Sequence, residues 1–551
     1  MARGFYTLLA LALGLVNMAA AAENPFPMPK CNGFKLEEAS IDAIQKALSS
    51  GKLTSRQLVK CYLDRVDELN PYMHAIIETN PDVYKIADNL DVERKNNQTR
   101  GPLHGIPVLV KDNIATKDKM ETTCGSNALV GSKVPRDAHV ISLLRKAGAI
   151  IFGKANLAEW ADIRSTSYSE GWSGRGGQSR NAYNLTQNPA GSSSGSAHAV
   201  AANMVTVAIG TETDGSVIGP AQRADLIGIK PTVGLTSRNG VIPESHSQDT
   251  VGTFGRTFKD AVYVLDAIKG VDYRDPVTKQ QKGRVPKRYA KYVSKKGALE
   301  GVRIGIPWKA IWEAPTTRSS LPELFRAIEE IRAAGAIIVN NTDIPSIDTL
   351  APNPPQWDWG FKNTLGFNNQ SEYTVVCYEF KRDLNKYLSE LVSSPVRTLA
   401  DIINFNDAHM ETEMKYFKQE TLVHCDSDPY TKEEYKKAKE YILRKTRTEG
   451  IDAALTNHNV QALLAPSDNW SMTTQISAQA GYPIVTIPVG HDPWGVPFGI
   501  SLWGTAYSEP TLIKLGSAIE DTLRRRQTPK FYDYKTEVIP VKDAYGAFYS
   551  E

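Results

Sequence analysis

The chain has 551 residues, of which 41% are hydrophobic and 23% are charged, a composition typical of globular proteins. Its formal net charge is +3 with both signs interspersed, which indicates neither a nucleic-acid partner nor an anionic membrane partner. The length suffices for one very large domain or roughly three to four ordinary ones. Because no linker separates two autonomous cores, we expect one large domain.

The N-terminal segment has the pattern of a secretory signal peptide. Arg3 precedes an apolar run from about Leu8 to Val16, and the small residues Ala19–Ala22 follow it. The apolar run is too short to span a bilayer as a helix, although a buried N-terminal helix is the alternative interpretation. We therefore expect a signal peptide over residues 1–22, a mature domain over residues 23–551, secretion, and no stable membrane insertion.

Sequons and cysteines are compatible with export. Sequons permit N-glycans at five asparagines, which are Asn97, Asn184, Asn340, Asn369 and Asn469. The cysteines are Cys31, Cys61, Cys124, Cys377 and Cys425. An oxidising compartment allows up to two disulfides, and the odd number leaves at least one thiol unpaired within the chain. The sequence does not determine the pairing. With no CxxC motif and no His/Cys cluster, we expect no metal site.

The first part of the chain is predicted to alternate between helix and strand. The apolar spacing from Phe34 to about Ile77 is helical, and Thr54 with Gln57 matches a capping box. A short buried strand is expected over 106–110, ending at Lys111. This alternation indicates an α/β layer architecture.

The same alternation continues along the chain. AHVISLLRKAGAIIFG predicts a helix, a turn at Gly148 and a strand over 149–152, and LPELFRAIEEIRAAGAIIV repeats the pattern. Between them, the basic segment 273–297 is expected to be a solvated connection. Near the C-terminus, ALLAP and YPIVTIPVG predict strands, and EPTLIKLGSAIEDTL predicts a helix. We therefore expect a central mixed sheet flanked by helices.

The stretch NPAGSSSGSAHA, residues 188–199, raises the question of which serine is chemically active. Gly191 to Gly195 satisfies G-x-S-x-G, which would make Ser193 the nucleophile of an α/β-hydrolase elbow. That motif requires a strand leading into the serine, whereas NAYNLTQNPA is polar and turn-forming, and Pro189 disfavours a ladder position. The elbow is therefore the less favoured hypothesis.

A second serine-bearing glycine loop follows. Small residues from about Ser194 to Asn203 predict a helix packed on a sheet, and MVTVAIG predicts a buried strand ending at Gly210. A helix of about ten residues advances roughly 15 Å, and a strand of five or six residues returns roughly 17–20 Å. We therefore expect GTETDGS to lie beside GSSSG.

Several long motifs now occur in one order: HGIPVLVKDNI, AGSSSGSAHAVAA, GTETDGSVIGPA, GIKPTVGL, HSQDTVGTFGRT, AGYPIVTIPVG and VPFGISLWG. In the residues of these motifs and in their spacing, the chain resembles the amidase signature family, and most closely its branch of peptide amidases and secreted fungal homologues. The resemblance extends from about residue 35 to 530, with the signature core at about 100–260. It implies the amidase signature fold.

The resemblance also implies the site residues. A Ser-cisSer-Lys triad would consist of Ser216 as the nucleophile, Ser192 as the bridging serine with a cis peptide bond, and Lys111 as the base. Backbone N–H groups would form the oxyanion hole, from Thr213, Asp214, Gly215 and Ser216. Supporting positions would be Ser193, Asp249 and Arg256, and for Asp249 and Arg256 a structural ion pair is as good an interpretation as a role in substrate binding. His198 and His246 are expected to be structural, because this mechanism requires no histidine.

The chemistry agrees with these residue types. A serine hydroxyl needs a base, and a lysine serves only if burial or charged neighbours lower its pKa from about 10.4. The expected function is a secreted amidase without a cofactor or metal, which forms an acyl-enzyme on Ser216.

Its substrate would be a peptide C-terminal amide, a small aliphatic or aryl amide, or a fatty acid amide. The aromatic stretch WDWGFKNTLGF would either line the cleft or belong to the core. The alternatives are the glutaminase subunit of an amidotransferase and a secreted non-catalytic binding homologue.

Overall fold

The computed structural model describes residues 24–313, 319–350, 372–467 and 470–536. The expected signal peptide, the sequons at Asn369 and Asn469, and the stretch WDWGFKNTLGF lie outside these residues. Within the described ranges, no helix is long and apolar enough to cross a membrane.

The strands of the described residues are short and mostly buried. In chain order they are β1 (Ile76–Thr79), β2 (Pro107–Lys111), β3 (Ile150–Ala155), β4 (Trp172–Ser173), β5 (Gly177–Gln178), β6 (Val207–Glu212), β7 (Ile227–Lys230), β8 (Thr250–Gly255), β9 (Arg303–Ile306), β10 (Ile337–Asn340), β11 (Ala462–Pro466), β12 (Ile484–His491) and β13 (Pro497–Trp503).

The helices flank these strands. In chain order they are α1 (Ile41–Ser49), α2 (Ser55–Met73), α3 (Val83–Lys95), α4 (His139–Lys146), α5 (Ser194–Ala201), α6 (Ile218–Arg223), α7 (Phe258–Ile268), α8 (Leu321–Ala333), α9 (Ile347–Leu350), α10 (Glu372–Glu390), α11 (Leu399–Ala408), α12 (Met410–Glu413), α13 (Glu420–Asp426), α14 (Lys432–Thr446), α15 (Asp452–Asn457), α16 (Trp470–Ala480) and α17 (Glu509–Leu523).

Eleven of the described strands form one mixed sheet in the order β1-β3-β2-β6-β8-β7-β12-β13-β11-β9-β10, while β4 and β5 form a separate hairpin. The neighbours β3, β2 and β6 are parallel, as are β11, β9 and β10. The remaining neighbours in the large sheet are antiparallel. The expected single α/β domain with a central mixed sheet is confirmed.

Local sequence signals identified several elements correctly. Thr54 and Gln57 form the capping box at the start of α2, with both reciprocal hydrogen bonds. Gly148 takes a positive φ of 80° in the turn between α4 and β3. The strand expected to end at Gly210 continues to Glu212, because its last two residues pair with β8. That pairing joins distant parts of the chain, so local pattern does not reveal it.

The cysteines form two disulfides, Cys31–Cys61 and Cys377–Cys425, and leave Cys124 as a buried free thiol. Two disulfides and one free thiol are what five cysteines allow when as many as possible are paired. Among the sequons, Asn184 is 6% exposed and its Nδ2 donates to the Trp494 carbonyl at 3.2 Å. The folded chain therefore disfavours a glycan at Asn184, whereas Asn97 and Asn340 are exposed.

Gly210 in β6 allows the first serine loop to approach the sheet closely. A Cβ atom at this position would lie 2.6 Å from Ser193 Oγ and 2.8 Å from a ring carbon of Phe254. Gly210→Ala should therefore lower the free energy of unfolding by about 1–3 kcal/mol through overpacking, measured by urea denaturation. Gly297→Ala is the control, because its Cβ would meet nothing within 4 Å. Equal stabilities for the two variants would contradict the packing described here.

Candidate active site

The site lies at the carboxyl ends of two parallel strands. Lys111 is the last residue of β2, and β6 runs beside it to Glu212. Lys111 is fully buried, and its Nζ lies 2.7 Å from Ser192 Oγ and 3.2 Å from the Thr211 carbonyl oxygen. Ligand sites in open α/β sheets form outside the carboxyl ends of the strands, so this location is suited to binding a small molecule.

The two serine-bearing glycine loops meet here. The Ser193 N–H donates to the Ser216 carbonyl at 3.2 Å, as expected from the helix and strand lengths. The Gly191–Ser192 peptide bond is cis, also as expected. Ser193 Oγ donates to the Thr211 carbonyl at 3.1 Å, and no strand leads into Ser193. The geometry of a nucleophile elbow is therefore absent at this described serine.

Burial changes the protonation of Lys111. Removal from water lowers the pKa of Lys111 to about 8, while charge interactions with Cys124 and with three nearby carboxyl groups oppose that shift. Those carboxyl groups belong to Asp162, Glu244 and Asp249. A lysine with this pKa is neutral in a substantial fraction of molecules near pH 8, and a neutral amine can accept a proton.

Glu212 shapes the turn that carries Ser216. Its Oε2 accepts hydrogen bonds from the N–H groups of Val217 at 2.7 Å and Ile218 at 2.9 Å, at the start of α6. Gly215 has a φ of +79°, and a Cβ there would lie 3.1 Å from Thr474 Oγ1. The conformation and the close approach to α16 both favour glycine at this position.

The expected oxyanion loop presents its N–H groups at the same place. Thr213 and Ser216 are buried, whereas Asp214 and Gly215 are partly exposed. No backbone carbonyl of the described residues accepts a hydrogen bond from the N–H of Thr213 or of Ser216. The Gly215 N–H faces the Glu212 carboxylate and lowers its pKa, against the larger effect of burial, which raises it. Thr213 and Ser216 are thus better placed than Gly215 to hold an oxyanion.

Thr213 lies between two buried carboxyl groups. Its Oγ1 is 2.7 Å from Glu244 Oε2 and 2.6 Å from Asp249 Oδ1. Asp249 also accepts the N–H groups of Glu244 at 2.9 Å and Ser245 at 3.0 Å. A hydroxyl has one proton to donate, so it satisfies both short contacts only if one carboxyl group is protonated.

We expect Glu244 to be that protonated group. Burial, followed by the charge of Asp249, raises the pKa of Glu244 well above its usual value. Burial raises the pKa of Asp249 only to about 6, because hydrogen bonds from Thr213 and two backbone N–H groups oppose the shift. Glu244 therefore donates to Thr213, which donates to the Asp249 carboxylate. This chain of hydrogen bonds fixes one end of the expected oxyanion loop.

Arg256 and His198 lie away from the serine loops' reactive atoms. The Arg256 guanidinium donates to the carbonyls of Val200, Val205 and Ala39, so the structure does not bring it to the site. His198 Nδ1 accepts the Ala182 N–H at 3.1 Å, and its Nε2 donates to the Pro189 carbonyl at 2.8 Å. His198 therefore fixes the polypeptide before the first glycine loop.

His246 belongs to an ion-pair cluster at the rim of this region. Its Nδ1 lies 2.7 Å from Asp383 Oδ2, and its Nε2 lies 3.1 Å from Glu379 Oε1. Burial lowers the pKa of His246, but the Asp383 hydrogen bond and the Glu379 charge outweigh it, so the net shift is upward. With a carboxylate at each ring nitrogen, the group is an imidazolium bridge, and a metal would have to displace it.

Sequence reasoning missed three residues that shape the site. Glu212 stands inside GTETDGS and Glu244 stands two residues before HSQDT, yet neither has a spacing signal of its own. Asp162 follows β3 by seven residues and lies close enough to Lys111 to raise its pKa. Only the folded chain brings Asp162 and Glu244 close to Lys111 and places Glu212 against the turn that carries Ser216.

Comparison with known proteins agrees with this geometry. A model of the Amidase family matches residues 57–513. The chain belongs to the amidase family. It is 48% identical over 537 residues to a protein of Schizosaccharomyces pombe that is named as an amidase, covering 94% of this chain and 91% of that one.

Solved structures give the same result. The native peptide amidase of Stenotrophomonas maltophilia superposes with a TM-score of 0.79 at 39% identity, covering 91% of this chain and 99% of that one. A glutamyl-tRNA(Gln) amidotransferase subunit of Symbiobacterium thermophilum is 38% identical over 309 residues, covering 55% of this amidase and 60% of that protein. This amidase is thus a hydrolase acting on carbon–nitrogen bonds, with the amidase signature fold.

The proton count at Thr213 can be tested by substitution. Glu244→Gln keeps a neutral donor of the same shape, so the turnover number should stay within about threefold of wild type. Thr213→Val removes the central hydroxyl, so Glu244 loses its hydrogen bond to Thr213 and Asp249 keeps only its two backbone donors, which should cost on the order of tenfold or more in turnover. In Glu244→Gln the infrared absorption of protonated carboxyl groups should lose one component, while the components of other buried acids such as Glu159 and Glu520 remain. A large loss of turnover in Glu244→Gln would mean that Glu244 is ionised.

Proposed function

We propose that this amidase hydrolyses carboxylic amides through a relay of Lys111, Ser192 and Ser216, with an acyl-enzyme on Ser216. The observation that carries the proposal is the contact of 2.7 Å between Lys111 Nζ and Ser192 Oγ in a fully buried environment. Ser193, the residue after Ser192, donates its N–H to the Ser216 carbonyl, so the two serine loops are hydrogen-bonded to each other. No cofactor is required by this chemistry.

In the acylation step, neutral Lys111 accepts the proton of Ser192 Oγ while its own N–H still donates to the Thr211 carbonyl. Ser192 Oγ in turn accepts the proton of Ser216 Oγ, which attacks the carbonyl carbon of the amide. The carbonyl oxygen becomes an oxyanion, held by N–H groups of the 213–216 turn. One such donor is typically worth about 3 kcal/mol in the transition state.

The relay then runs in reverse. Lys111 returns its proton through Ser192 to the nitrogen of the leaving group, the carbon–nitrogen bond breaks, and ammonia or an amine departs. Water attacks the acyl-enzyme with the same groups acting as base, which releases the carboxylic acid and restores Ser216. Ser192 must therefore face the leaving nitrogen.

The proposed substrates are peptide C-terminal amides, or small aliphatic or aryl amides. The first class is supported by 39% identity to a protein named peptide amidase over nearly all of both chains. Export is proposed on the signal-peptide pattern, and the two disulfides agree with an oxidising compartment.

Two alternatives are less well supported. The similarity to an amidotransferase component covers 60% of that protein, and such a component would not need a signal peptide. A non-catalytic binding homologue would have no reason to retain a buried lysine against a serine, since that arrangement costs free energy of desolvation.

Substitution of each serine distinguishes the relay from the elbow. Ser216→Ala should lower the turnover number by on the order of 10⁴-fold or more, with an unchanged circular dichroism spectrum. Ser193→Ala removes one hydrogen bond to a backbone carbonyl and should keep turnover within about tenfold. The measurement is ammonia release from primary amides by the chain isolated as one species by gel filtration. Activity retained in Ser216→Ala and lost in Ser193→Ala would contradict the relay, and a wild-type chain inactive without a partner would favour the amidotransferase alternative.

A further inference from the structure

Asp162 is an acidic residue beside the relay that the mechanism above does not use. It ends a run of three non-glycine residues with left-handed backbone, Trp160, Ala161 and Asp162, whose φ values are 55°, 59° and 86°. L-residues rarely adopt this conformation, and it persists only where the surrounding structure imposes it. Such backbone tends to occur at functional sites.

The surrounding structure ties this run to the relay. The Trp160 N–H donates to the Cys124 carbonyl at 3.2 Å, and the Ala158 N–H donates to the Ser192 carbonyl at 3.1 Å. Trp160 is 1% exposed, so its side chain anchors the turn in the core. The segment that carries Asp162 is therefore fixed relative to Ser192.

The Asp162 carboxylate faces the first glycine loop. A Cβ atom on Gly191 would meet Glu170 Oε2 first and would lie 3.1 Å from Asp162 Oδ2 and 3.3 Å from Oδ1, so both carboxyl groups face this position. Oδ1 is buried and receives no hydrogen bond from any described residue, although the residue as a whole keeps partial exposure. Burial raises the pKa of Asp162 to about 7, and the charge of Lys111 opposes that rise.

A carboxylate in this state lacks a counter-charge during the reaction. Lys111 must be neutral to act as a base, so it cannot neutralise Asp162 at that stage. An ionised carboxylate whose Oδ1 is buried without a hydrogen-bond donor is unfavourable, and a cation with N–H groups supplies both the missing charge and the missing donor. Because Ser192 faces the leaving nitrogen, a carboxylate beside Gly191 and Ser192 lies on the leaving-group side.

We propose that Asp162 forms a cation subsite for an ammonium or alkylammonium group on the leaving-group side of the relay. Its occupant is the protonated amine that hydrolysis releases, or a cationic substituent on the amine part of the substrate. The placement of this subsite on the leaving-group side rests on the proposed function, whereas the binding of a cation by Asp162 does not. Asp162 is therefore a specificity-determining residue, and the relay operates without it on neutral amides.

The first test is binding, which does not depend on turnover. Calorimetric titration of Ser216→Ala with methylammonium chloride, above pH 8 where Lys111 is mostly neutral and Asp162 is ionised, should show binding that sodium chloride at equal ionic strength does not. The double variant Ser216→Ala with Asp162→Asn should bind methylammonium on the order of tenfold more weakly. Equal binding by the two variants would overturn the subsite.

The second test is kinetic and separates the two sources of the cation. Ammonium chloride should inhibit hydrolysis of a neutral primary amide competitively, and Asp162→Asn should raise the inhibition constant on the order of tenfold. Because the Asp162 charge raises the pKa of Lys111, turnover is compared above pH 8, where Lys111 is mostly neutral in both proteins, and there the turnover number should stay near wild type. N-(2-aminoethyl)acetamide should bind to Ser216→Ala more tightly than N-propylacetamide, its isosteric neutral partner, only if the subsite also accepts substrate cations. Asp64→Asn, on exposed surface of α2, is the control for the change in net charge.

The outcomes distinguish this inference from the proposed function. Loss of amide hydrolysis in Asp162→Asn would overturn the subsite, because Asp162 would then belong to the relay itself. Discrimination in favour of a cation on the acyl part, with β-alaninamide preferred over butyramide, would overturn the leaving-group assignment. A Ser216→Ala variant that still hydrolyses amides would contradict the proposed function. The subsite would then be judged by the calorimetric titration with methylammonium alone.

Discussion

The contact between Lys111 Nζ and Ser192 Oγ is the interaction on which the site depends. It joins the end of β2 to the loop before α5, and it forms because β2 and β6 are parallel neighbours. Parallel strands present their carboxyl ends at one edge of the sheet, so Lys111 and the 213–216 turn are brought together by topology. The helix α5 and strand β6 between the loops then return Ser216 to the level of Ser192.

This contact imposes a problem of charge on the rest of the site. A fully buried lysine is costly when protonated, and its pKa falls to about 8 as a result. Buried acids surround it, yet the geometry keeps them from forming a direct salt bridge. Glu244 is expected to be protonated, because burial and the charge of Asp249 raise its pKa. Asp249 accepts hydrogen bonds from three donors, and Asp162 has no donor at Oδ1 among the described residues. The lysine is therefore kept available as a neutral base.

Much of this arrangement could be predicted from the sequence. The capping box of α2, the small-residue helix α5 and the strand into Gly210 have strong local patterns, and two glycine loops at their ends follow from element lengths. The roles of Lys111, Ser192 and Ser216 came from the family resemblance and have no pattern of their own. Glu212, Glu244 and Asp162 escaped prediction because their importance arises from contacts across the fold. The buried position of Arg256 away from the site could not be predicted either, since its three carbonyl partners come from separate segments.

The pH dependence of Ser216 acylation tests the central claim most directly. The rate of labelling by a serine-directed covalent probe, with the labelled residue identified by mass spectrometry, should rise with pH and reach half its maximum near the Lys111 pKa of about 8. Deprotonation of Lys111 creates the base, so the rate must increase with pH. In Lys111→Met the labelling should be slower by orders of magnitude and should lack this titration. A midpoint near about 10.4, the value of an unperturbed lysine, or a label on Ser193 would contradict the account.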